Sequence, residues 1–418
     1  MLSRKLSKSF PFYYGWIVLF SLGTSQIVRN SAASLLIGVF IIPMGAELGW
    51  SRTLMAGAAS AGGLAASVAS VPAGWIVDKY KTQIVITISI LILGLATISL
   101  SWVTTPLAFY IAYGIGRVLF NSTIQIGSSV CVSRWFVQYR GRATGILYSC
   151  HSIGMLAFPL IAWLIIQFYD WRSAWFILGL LALIIAVPCS FLFIAHRPED
   201  IGLLPDGQTD SEYQDVNNKS ISEELNWTLK EAVNTKVLWI LAASGGILFL
   251  LQSGMNVHQA ALILDKGLAP WVAIMGVSCN AIFTGIGSII WGRVLEFLPA
   301  KFAYAIDALI LGVVLGLFTL ISGPISVFLL SSLFGIAIAG ILCIPPVTYA
   351  NYYGREHLGK IRGVTEPFIS IGQAIGALSS GIIFDLYQSY DVALLIYCVL
   401  GIVASVSFLT IKQPIYKN

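Results

Sequence analysis

Charged residues are scarce in this chain. Asp, Glu, Lys and Arg make up 10% of its 418 residues, whereas hydrophobic residues make up 57%. A soluble globular domain carries about 25% charged residues, so this composition excludes a soluble protein and indicates a chain that crosses a membrane several times. The formal net charge of +5 reflects which loops carry Lys and Arg, and we expect no nucleic-acid partner.

The chain also lacks the patterns that mark disulfides, metal sites and catalytic centres. Its six cysteines fall inside apolar runs, without paired spacing or the histidine neighbours of a zinc site. They are typical of small buried hydrophobic residues. No nucleophile motif or phosphate-binding glycine loop is present, so we expect no metal, no cofactor and no enzymatic activity. The cysteines are Cys131, Cys150, Cys189, Cys279, Cys343 and Cys398.

What the chain has is long apolar runs. Stretches of about 20 apolar residues can cross a bilayer as helices, and twelve are present. The runs lie near 14–42, 53–76, 83–102, 106–133, 143–168, 173–195, 237–264, 270–291, 302–321, 324–350, 364–387 and 392–411. The sequence therefore predicts an all-α integral membrane protein with twelve transmembrane helices.

An extended polar stretch divides these runs into two sets of six. It begins at His196 and ends at Lys236. We therefore predict an N-terminal six-helix half over 1–195, a cytoplasmic linker over 196–236 and a C-terminal six-helix half over 237–418.

Lys and Arg are unevenly distributed between the predicted loops. If both termini are cytoplasmic, Arg52, Arg172 and Lys266 lie on the opposite side, and Arg29 and Arg117 lie inside the membrane. All other Lys and Arg then face the cytoplasm, as the positive-inside rule requires. An odd number of spans would remove this bias, so the distribution favours twelve spans with both termini inside.

Three short patterns of the first half recur in the second half, at spans six apart. Such repeats indicate duplication, and hence two pseudo-symmetric halves. Parallel repeats place a substrate site near the middle of the membrane, between the halves. The matching pairs are Gly74–Asp78 with Gly292–Glu296, Ser152–Gly154 with Ser370–Gly372, and Tyr169–Asp170 with Tyr390–Asp391.

These motifs make nearly the whole chain resemble the major facilitator superfamily. Several further segments resemble the oxalate/formate antiporter and monocarboxylate porter group. The resemblance implies a monomeric secondary transporter in a bacterial inner (plasma) membrane. The segments that carry it are Gly74-Trp-Ile-Val-Asp78-Lys79, its copy at Gly292–Glu296, Asp170-Trp171-Arg172, Arg134-Trp-Phe, Arg140–Gly145, Arg197–Gly207 and His258…Gly267.

The resemblance also implies a conformational latch on the cytoplasmic side. Gly74 would let two helix backbones approach closely, and Asp78 can cap a helix N-terminus or pair with Arg134 or Arg142. In the superfamily such an acid stabilises the outward-open state. We expect Gly292 and Glu296 to repeat this role in the second half. The segment 80–82 departs from the usual motif, since it lacks the customary glycine and one basic residue.

A second departure concerns the substrate. The carriers of this group usually hold the carboxylate with a basic residue in span eight, and oxalate carriers have another in span eleven. Here the corresponding stretches, from Asn280 to Thr284 and from Phe368 to Ile371, contain no basic residue. Either the N-terminal half holds the carboxylate or the substrate is something else.

Arg29 is the leading candidate for that contact. It lies about halfway along the first span, beside Asn30, and a permanent charge at this depth needs a wet cavity or a partner. Arg117 in span four is equally compatible with a functional and a bracing role. Asn121 and Gln125 follow it at helical spacing, so the three should share one wet face. Further polar candidates for the site are Gln252, Asn256, Asn280 and Thr284.

Two residues are candidates for proton coupling. His151 in span five can change charge near neutral pH, although a lone helical His is more often a packing residue. Glu366 opens span eleven, where an acid ordinarily complements the helix dipole, and we favour that role over a proton carrier. Carboxylates are otherwise scarce at depth, with Asp307 near a cytoplasmic end and Asp385 near the outer end.

A cavity lined by cations and amides selects anions. The first hypothesis is therefore a secondary transporter that moves a small organic anion, a monocarboxylate in the simplest case, by alternating access with proton coupling. The second is a proton-driven exporter of a larger drug- or siderophore-like compound. Such exporters usually carry a motif in span five, and only fragments of it are present in Gly154–Pro159. The third, a membrane enzyme or a receptor, finds no supporting motif.

Overall fold

The computed structural model describes residues 11–208 and 226–414. In that part of the chain it contains twelve helices long and apolar enough to cross a membrane. This confirms the predicted all-α fold of two six-helix halves. Residues 209–225 of the predicted linker lie outside the described residues. The helices are α1 Gly15–Leu48, α2 Arg52–Lys79, α3 Thr82–Trp102, α4 Pro106–Trp135, α5 Arg140–Phe168, α6 Trp171–Phe193, α7 Lys236–Asp265, α8 Pro270–Val294, α9 Ala300–Leu320, α10 Pro324–Tyr353, α11 Leu358–Tyr387 and α12 Asp391–Leu409.

Two helices are longer than their apolar runs suggest. The first span ends at Leu48 instead of near 42, and α11 begins at Leu358 instead of near 364. The second difference corrects the placement of Arg362, which we expected in a loop. Arg362 lies in the second turn of α11 and is only 2% exposed. A hydropathy window misses this turn because its charged residues lower the average.

The described parts of the linker pack against loops at one end of the bundle. Asp206 accepts hydrogen bonds from three consecutive backbone N–H groups, those of residues 137–139 between α4 and α5. Asn226 accepts from the N–H groups of Arg355 and Glu356 between α10 and α11. We call this end the linker side and the opposite end the far side.

The Asp170-Trp171-Arg172 motif fixes a corner on the far side. Asp170 caps α6 by accepting from the N–H of Ser173 at 2.6 Å, and this hydrogen bond lowers the pKa of the Asp170 carboxyl. Trp171 donates its indole N–H to Glu47 at 2.7 Å, and Arg172 forms an ion pair with the same carboxylate. The motif therefore ties the end of α1 to the start of α6.

Each half has its own hydrophobic core. The core of the C-terminal half also includes Val77, Ile126, Val130 and Tyr148 from the N-terminal half. The two halves are therefore packed together on the linker side and not merely adjacent. Burial of apolar side chains is not the driving force in lipid, so close contact between small residues must hold such a joint.

Glycines supply that close contact in two symmetry-related places. A Cβ atom on Gly74 of α2 would lie 2.2 Å from the carbonyl oxygen of Gly359 in α11. A Cβ atom on Gly292 of α8 would lie 2.7 Å from the carbonyl oxygen of Gly141 in α5. Both predicted latch glycines thus stand where one half touches the other backbone to backbone.

We expect Gly74→Ala to destabilise the packed linker side. The added methyl group has no room, and overpacking of this kind costs about 1–3 kcal/mol. Gly63→Ala on the same helix is the matched control, because nothing lies within 4 Å of its Cβ position. Thermal unfolding of the purified variants in detergent should show a lower midpoint for Gly74→Ala alone. Equal midpoints would show that this contact is not tight.

Two helices of the N-terminal half are broken within the membrane. Helix α1 changes to a 3-10 turn over Arg29–Ala32, and Ala33 is extended with ψ 144°. Helix α4 breaks at Ser122, where φ is −109° and ψ is −94°. Non-helical backbone at this depth is tolerated only where it is buried in protein or lines a cavity. Both breaks are buried in protein, so they place free backbone groups inside the middle of the N-terminal half.

Candidate substrate site

Arg29 lies at the break in α1 and is 2% exposed. Its guanidinium donates to the carbonyl oxygen of Phe120 at 3.1 Å and to the side-chain oxygen of Gln125. Phe120 precedes the break in α4 by two residues and Gln125 follows it. The interruption of α4 thus provides the groups that hold Arg29.

Arg117 makes the reciprocal contact. Its guanidinium donates to the carbonyl oxygen of Ala32, at the break in α1, over 3.4 Å. The guanidinium carbons of Arg29 and Arg117 lie 4.5 Å and 5.0 Å from the centroid of the Phe120 ring. One aromatic ring therefore contacts both cations, which a ring quadrupole stabilises. Phe120 was not among the predicted site residues.

Neither arginine has a carboxylate within ion-pair distance in the described part of the chain. The Nε atoms of both are buried and lack a hydrogen-bond partner there. A buried charge is normally paired, because leaving water costs several kcal/mol per ion. The two guanidiniums therefore present unsatisfied N–H donors and net positive charge, which is the requirement for holding an anion.

A polar chain leads from Arg29 to the C-terminal half. Gln125, which accepts from Arg29, donates through its side-chain nitrogen to the Tyr148 hydroxyl at 3.2 Å. The Tyr148 hydroxyl lies beside the guanidinium of Arg362 in α11. Arg362 also donates to the hydroxyl of Ser129 in α4. The N-terminal cation site and α11 are thus connected by side chains.

Arg362 pairs with Glu366 one helical turn later. The atoms that form the pair are 2.5 Å apart, and their side chains are 3% and 8% exposed. Glu366 also lies in electrostatic range of Arg29. We favoured a dipole role for Glu366, but its carboxylate is buried and ion-paired at the interface between the halves. The i,i+4 spacing of Arg362 and Glu366 was the available sequence signal.

The prediction of one continuous polar face in α4 is wrong. Arg117, Asn121 and Gln125 have the spacing of a helical face, but the break at Ser122 separates Gln125 from the other two. Ser122 donates to the carbonyl of Val118 one turn earlier, and such side-chain bonds compete with regular helix hydrogen bonds. The side-chain nitrogen of Asn121 is buried and has no hydrogen-bond partner in the part of the chain that the structure describes.

Asn30 and His151 are joined to each other. The amide nitrogen of Asn30 lies 3.2 Å from His151 Nδ1 and 3.1 Å from the His151 carbonyl oxygen. The Asn30 amide and the His151 imidazole are therefore within hydrogen-bond distance of each other. The ring also meets Phe120 edge-on at 6.0 Å between centroids. This places His151 directly behind the Arg29 site.

The amides of the C-terminal half form a separate cluster. The side-chain nitrogen of Asn280 donates to Asn256 at 3.0 Å and to Gln259 at 3.1 Å. Thr284 donates to the carbonyl of Asn280 one turn before it. Asn280 and Thr284 are at most 1% exposed, so they bind within their own half. The side-chain oxygen of Gln252 is buried without a partner.

Asp78 makes both contacts that its motif allows. It pairs with Arg134 at 3.1 Å, and the side chains are 4% and 1% exposed. It also accepts from the backbone N–H groups of Gly359 at 3.0 Å and Lys360 at 2.8 Å, at the start of α11. One carboxylate thus complements a helix N-terminus of the opposite half and neutralises a buried arginine of its own half.

Glu296 is the counterpart of Asp78 in the second half. It pairs with Arg142 at 2.7 Å, and the Arg142 side chain is 37% exposed. Every polar contact that the structure describes between the halves lies on the linker side or near mid-depth. The far-side ion pairs, Arg172–Glu47 and Lys266–Asp391, each stay within one half. The structure is therefore held closed on the linker side.

His196 at the start of the linker belongs to the same cluster as Asp78. Its Nδ1 accepts from the backbone N–H of Thr82 at 3.1 Å and lies 3.3 Å from the Arg134 guanidinium. Burial, followed by the charges of Arg134, Arg197 and Lys81, lowers the pKa of His196 from 6.5 to about 3. The imidazole is therefore neutral and helps position Arg134 for Asp78.

This arrangement should make the closed linker side sensitive to acid. The lowered pKa means that His196 stabilises the fold fully above pH 6.5, and that this contribution decreases as the pH falls from 6.5 towards 3. In His196→Gln the amide accepts without titrating, so its unfolding midpoint should fall less between about pH 7 and about pH 5 than that of the wild type. Parallel loss in both proteins would exclude His196 as a source of acid sensitivity.

Comparison with known proteins agrees with this architecture. The Bacillus subtilis (strain 168) protein named Uncharacterized MFS-type transporter YcxA is 20% identical in an alignment of 402 residues that covers 90% of this chain and 90% of that one. The glycerol-3-phosphate transporter of the same organism is 25% identical in an alignment of 247 residues that covers 55% of this chain and 54% of that protein. The crystal structure of the human organic anion transporter MFSD10 (TETRAN) superimposes with a TM-score of 0.74 at 12% identity, covering 94% of this chain and 99% of that one.

The narrower resemblance to oxalate/formate and monocarboxylate carriers stays a prediction. The family model of the Major Facilitator Superfamily matches residues 22–377, which is most of the chain and includes both broken helices, both latch acids and Glu366. This family and fold are those of integral multi-pass membrane transporters. The chain therefore belongs to the Major Facilitator Superfamily.

Proposed function

We propose that this protein is a secondary transporter that moves a small organic anion across the membrane by alternating access. The observation that carries the proposal is the pair of buried guanidiniums, Arg29 and Arg117, which lack a carboxylate partner in the described part of the chain. An anionic group of the substrate would complete their hydrogen bonding and neutralise their charge. Arg29 is the principal anchor because both of its protein partners lie at the break in α4.

A monocarboxylate fits the site most simply. One carboxylate can take two parallel N–H donors from one arginine, and Arg117, which contacts the same Phe120 ring as Arg29, can supply further donors. The named relative that transports glycerol-3-phosphate also moves an organic anion, which supports the anion class without identifying the carboxylate.

Glu366 is the residue that we assign to proton coupling, with His151 as the second candidate. When Glu366 is ionised it occupies Arg362 and offsets the positive charge felt by Arg29. Transfer of a proton from hydronium to its carboxylate gives a neutral acid and water, and leaves Arg362 free to attract the anion. Proton and anion would thus load together, which couples uptake to a proton gradient.

The latches would govern the conformational cycle. Asp78 and Glu296 join the halves on the linker side in the structure, and their release would let the halves rock and open that side. If the linker side is cytoplasmic, as the distribution of Lys and Arg predicts, the structure corresponds to an outward-facing state. We propose a monomer with both termini in the cytoplasm and, for a bacterial source, a place in the inner membrane.

Uptake assays test the proposal. A transporter-deficient bacterium expressing the protein should accumulate at least one of labelled lactate, pyruvate, formate and oxalate, faster at acidic external pH. Unlabelled carboxylates should compete. Export of a drug- or siderophore-like compound without carboxylate uptake would instead support the second hypothesis.

A further inference from the structure

Asp307 in α9 is a buried carboxyl group that plays no part in the site described above. It is 0% exposed, and both of its carboxyl oxygens lack a hydrogen-bond partner among the described residues. It forms no ion pair within residues 11–208 and 226–414. A Cβ atom on Gly340 of α10 would lie 2.0 Å from one of its oxygens, so the carboxyl group packs directly against the backbone of that glycine.

An ionised carboxylate cannot be stable in this place. Removing it from water costs several kcal/mol, and nothing described repays that cost. Such a group takes up a proton instead and becomes neutral. Burial without a partner therefore favours the neutral carboxylic acid form of Asp307.

Among the side chains that the structure describes next to Asp307, none carries a positive charge that could replace the proton. The titratable neighbours are Tyr304 on its own helix and Cys343 on α10. From α12, this stretch of α9 meets Phe408, which stacks on Tyr304, and Ser405, which donates to the carbonyl of Ala305. From α11, Arg362 comes within electrostatic range of Tyr304.

Tyrosines lead from Asp307 towards Glu366. Tyr304 lies within electrostatic range of both Asp307 and Tyr349, and Tyr349 lies near Thr365, the neighbour of Glu366. A small cavity of about 10 Å³ lies between Tyr304, Tyr349 and Thr365, which is close to the space that one water needs. Groups able to relay a proton therefore lie between the two carboxyls.

Helix α10 can bend beside Asp307. Pro345 and Pro346 lie inside the helix, between one and two turns beyond Gly340. Because proline has no N–H, the carbonyls of Ile341 and Leu342 lose their helical donors, and helices bend at such points. A bend in α10 would lift Gly340 away from Asp307 and admit water.

We propose that Asp307 is a second proton-binding site, which holds its proton while the linker side is closed and exchanges it with water when α10 moves during opening. Loading transfers a proton from hydronium to the carboxylate and gives a carboxylic acid and water, and release is the reverse. This inference rests on the proposed proton-coupled function, but its test does not need a substrate.

Infrared spectroscopy of the purified protein in lipid provides the test. The wild type at neutral pH should show the carbonyl stretching band of an unhydrated carboxylic acid. Asp307→Asn, which has nearly the same shape, should lose that band. If Asp307→Asn fails to fold, Asp307→Glu is measured in its place and should shift the band. Absence of the band in the wild type, or its persistence in well-folded Asp307→Asn, would overturn the proposal.

The exchange step separates a transported proton from a structural one. After transfer to D2O the Asp307 band should shift as the linker side opens, and about tenfold faster or more in Asp78→Asn, whose buried latch is broken. Glu296→Gln is the control. It should accelerate the exchange less, because the side chain of its partner Arg142 is 37% exposed. An exchange rate that is the same in Asp78→Asn and the wild type would show that the proton is structural and overturn the proposal. If exchange depends on the latch but no anion is taken up, the proposed substrate is wrong and the proposal for Asp307 stands.

Discussion

Arg29→Gln is expected to bind the substrate anion too weakly to measure. The guanidinium is buried, and within the described ranges it has no carboxylate partner and its Nε donor is unused. Loss of one partner of a buried, hydrogen-bonded charge contact costs about 2–5 kcal/mol, which is a factor of roughly thirty or more in affinity. Glutamine keeps a polar group at this position but removes the charge.

Two companion variants separate charge from geometry. Arg29→Lys keeps the charge and loses the planar fork that binds both carboxylate oxygens, so it should bind weakly. Arg117→Gln should retain some binding, because the hydrogen bond of Arg117 to the Ala32 carbonyl, at 3.4 Å, is longer than that of Arg29 to the Phe120 carbonyl, at 3.1 Å. The measurement is calorimetric titration of variants whose unfolding midpoints show that they are folded. Near-wild-type affinity in Arg29→Gln would make Arg29 structural and move the site to Arg117 or the amides of α7.

Asp78→Asn should reduce transport strongly and leave substrate affinity in detergent largely intact. The substitution leaves the guanidinium of Arg134 buried without a counter-charge, and breaking a buried pair in this way costs about 3–5 kcal/mol. The loss falls on the conformation closed at the linker side, because Asp78 binds the start of α11 only there. The substitution therefore changes the populations of the conformations that are closed and open on the linker side, and it leaves the substrate site unchanged.

Spin labels can report those populations. Residues 81 and 356 are exposed on the linker side, one in each half, and the distance between labels there should gain a longer component in Asp78→Asn. Glu296→Gln should change the distribution less, because a partly exposed pair is worth only about 0–1 kcal/mol. Unchanged distances together with a large loss of affinity would count against a latch.

The sequence predicted the features that depend on composition and on spacing. Twelve spans and two halves follow from apolar runs and from repeated motifs. Gly74, Asp78 and Arg134 were identified because the motif needs a small residue for close helix contact and an acid that can pair with an arginine. The division at 195 and 237 stays a prediction. The helix breaks at Arg29 and Ser122 were not predictable, since an apolar run reads the same whether its helix is continuous or broken.

The site itself was predicted only in part. Arg29 was identified from its charge at mid-depth, but its partners Phe120 and Gln125 come from a break that spacing alone cannot show. Arg362 was assigned to a loop because the first turns of α11 are polar, although they are buried against the other half. Asn280 and Thr284 have suitable chemistry for a cavity, yet the structure packs them within the C-terminal half.

Recognition of negative charge is tested by comparing carboxylates with their uncharged amides, such as lactate with lactamide, in thermal-shift titrations of the purified wild type. We expect the carboxylate to raise the unfolding midpoint with saturation and the amide of the same shape to leave it unchanged. Equal stabilisation by both members of each pair, or by the amides alone, would contradict this expectation.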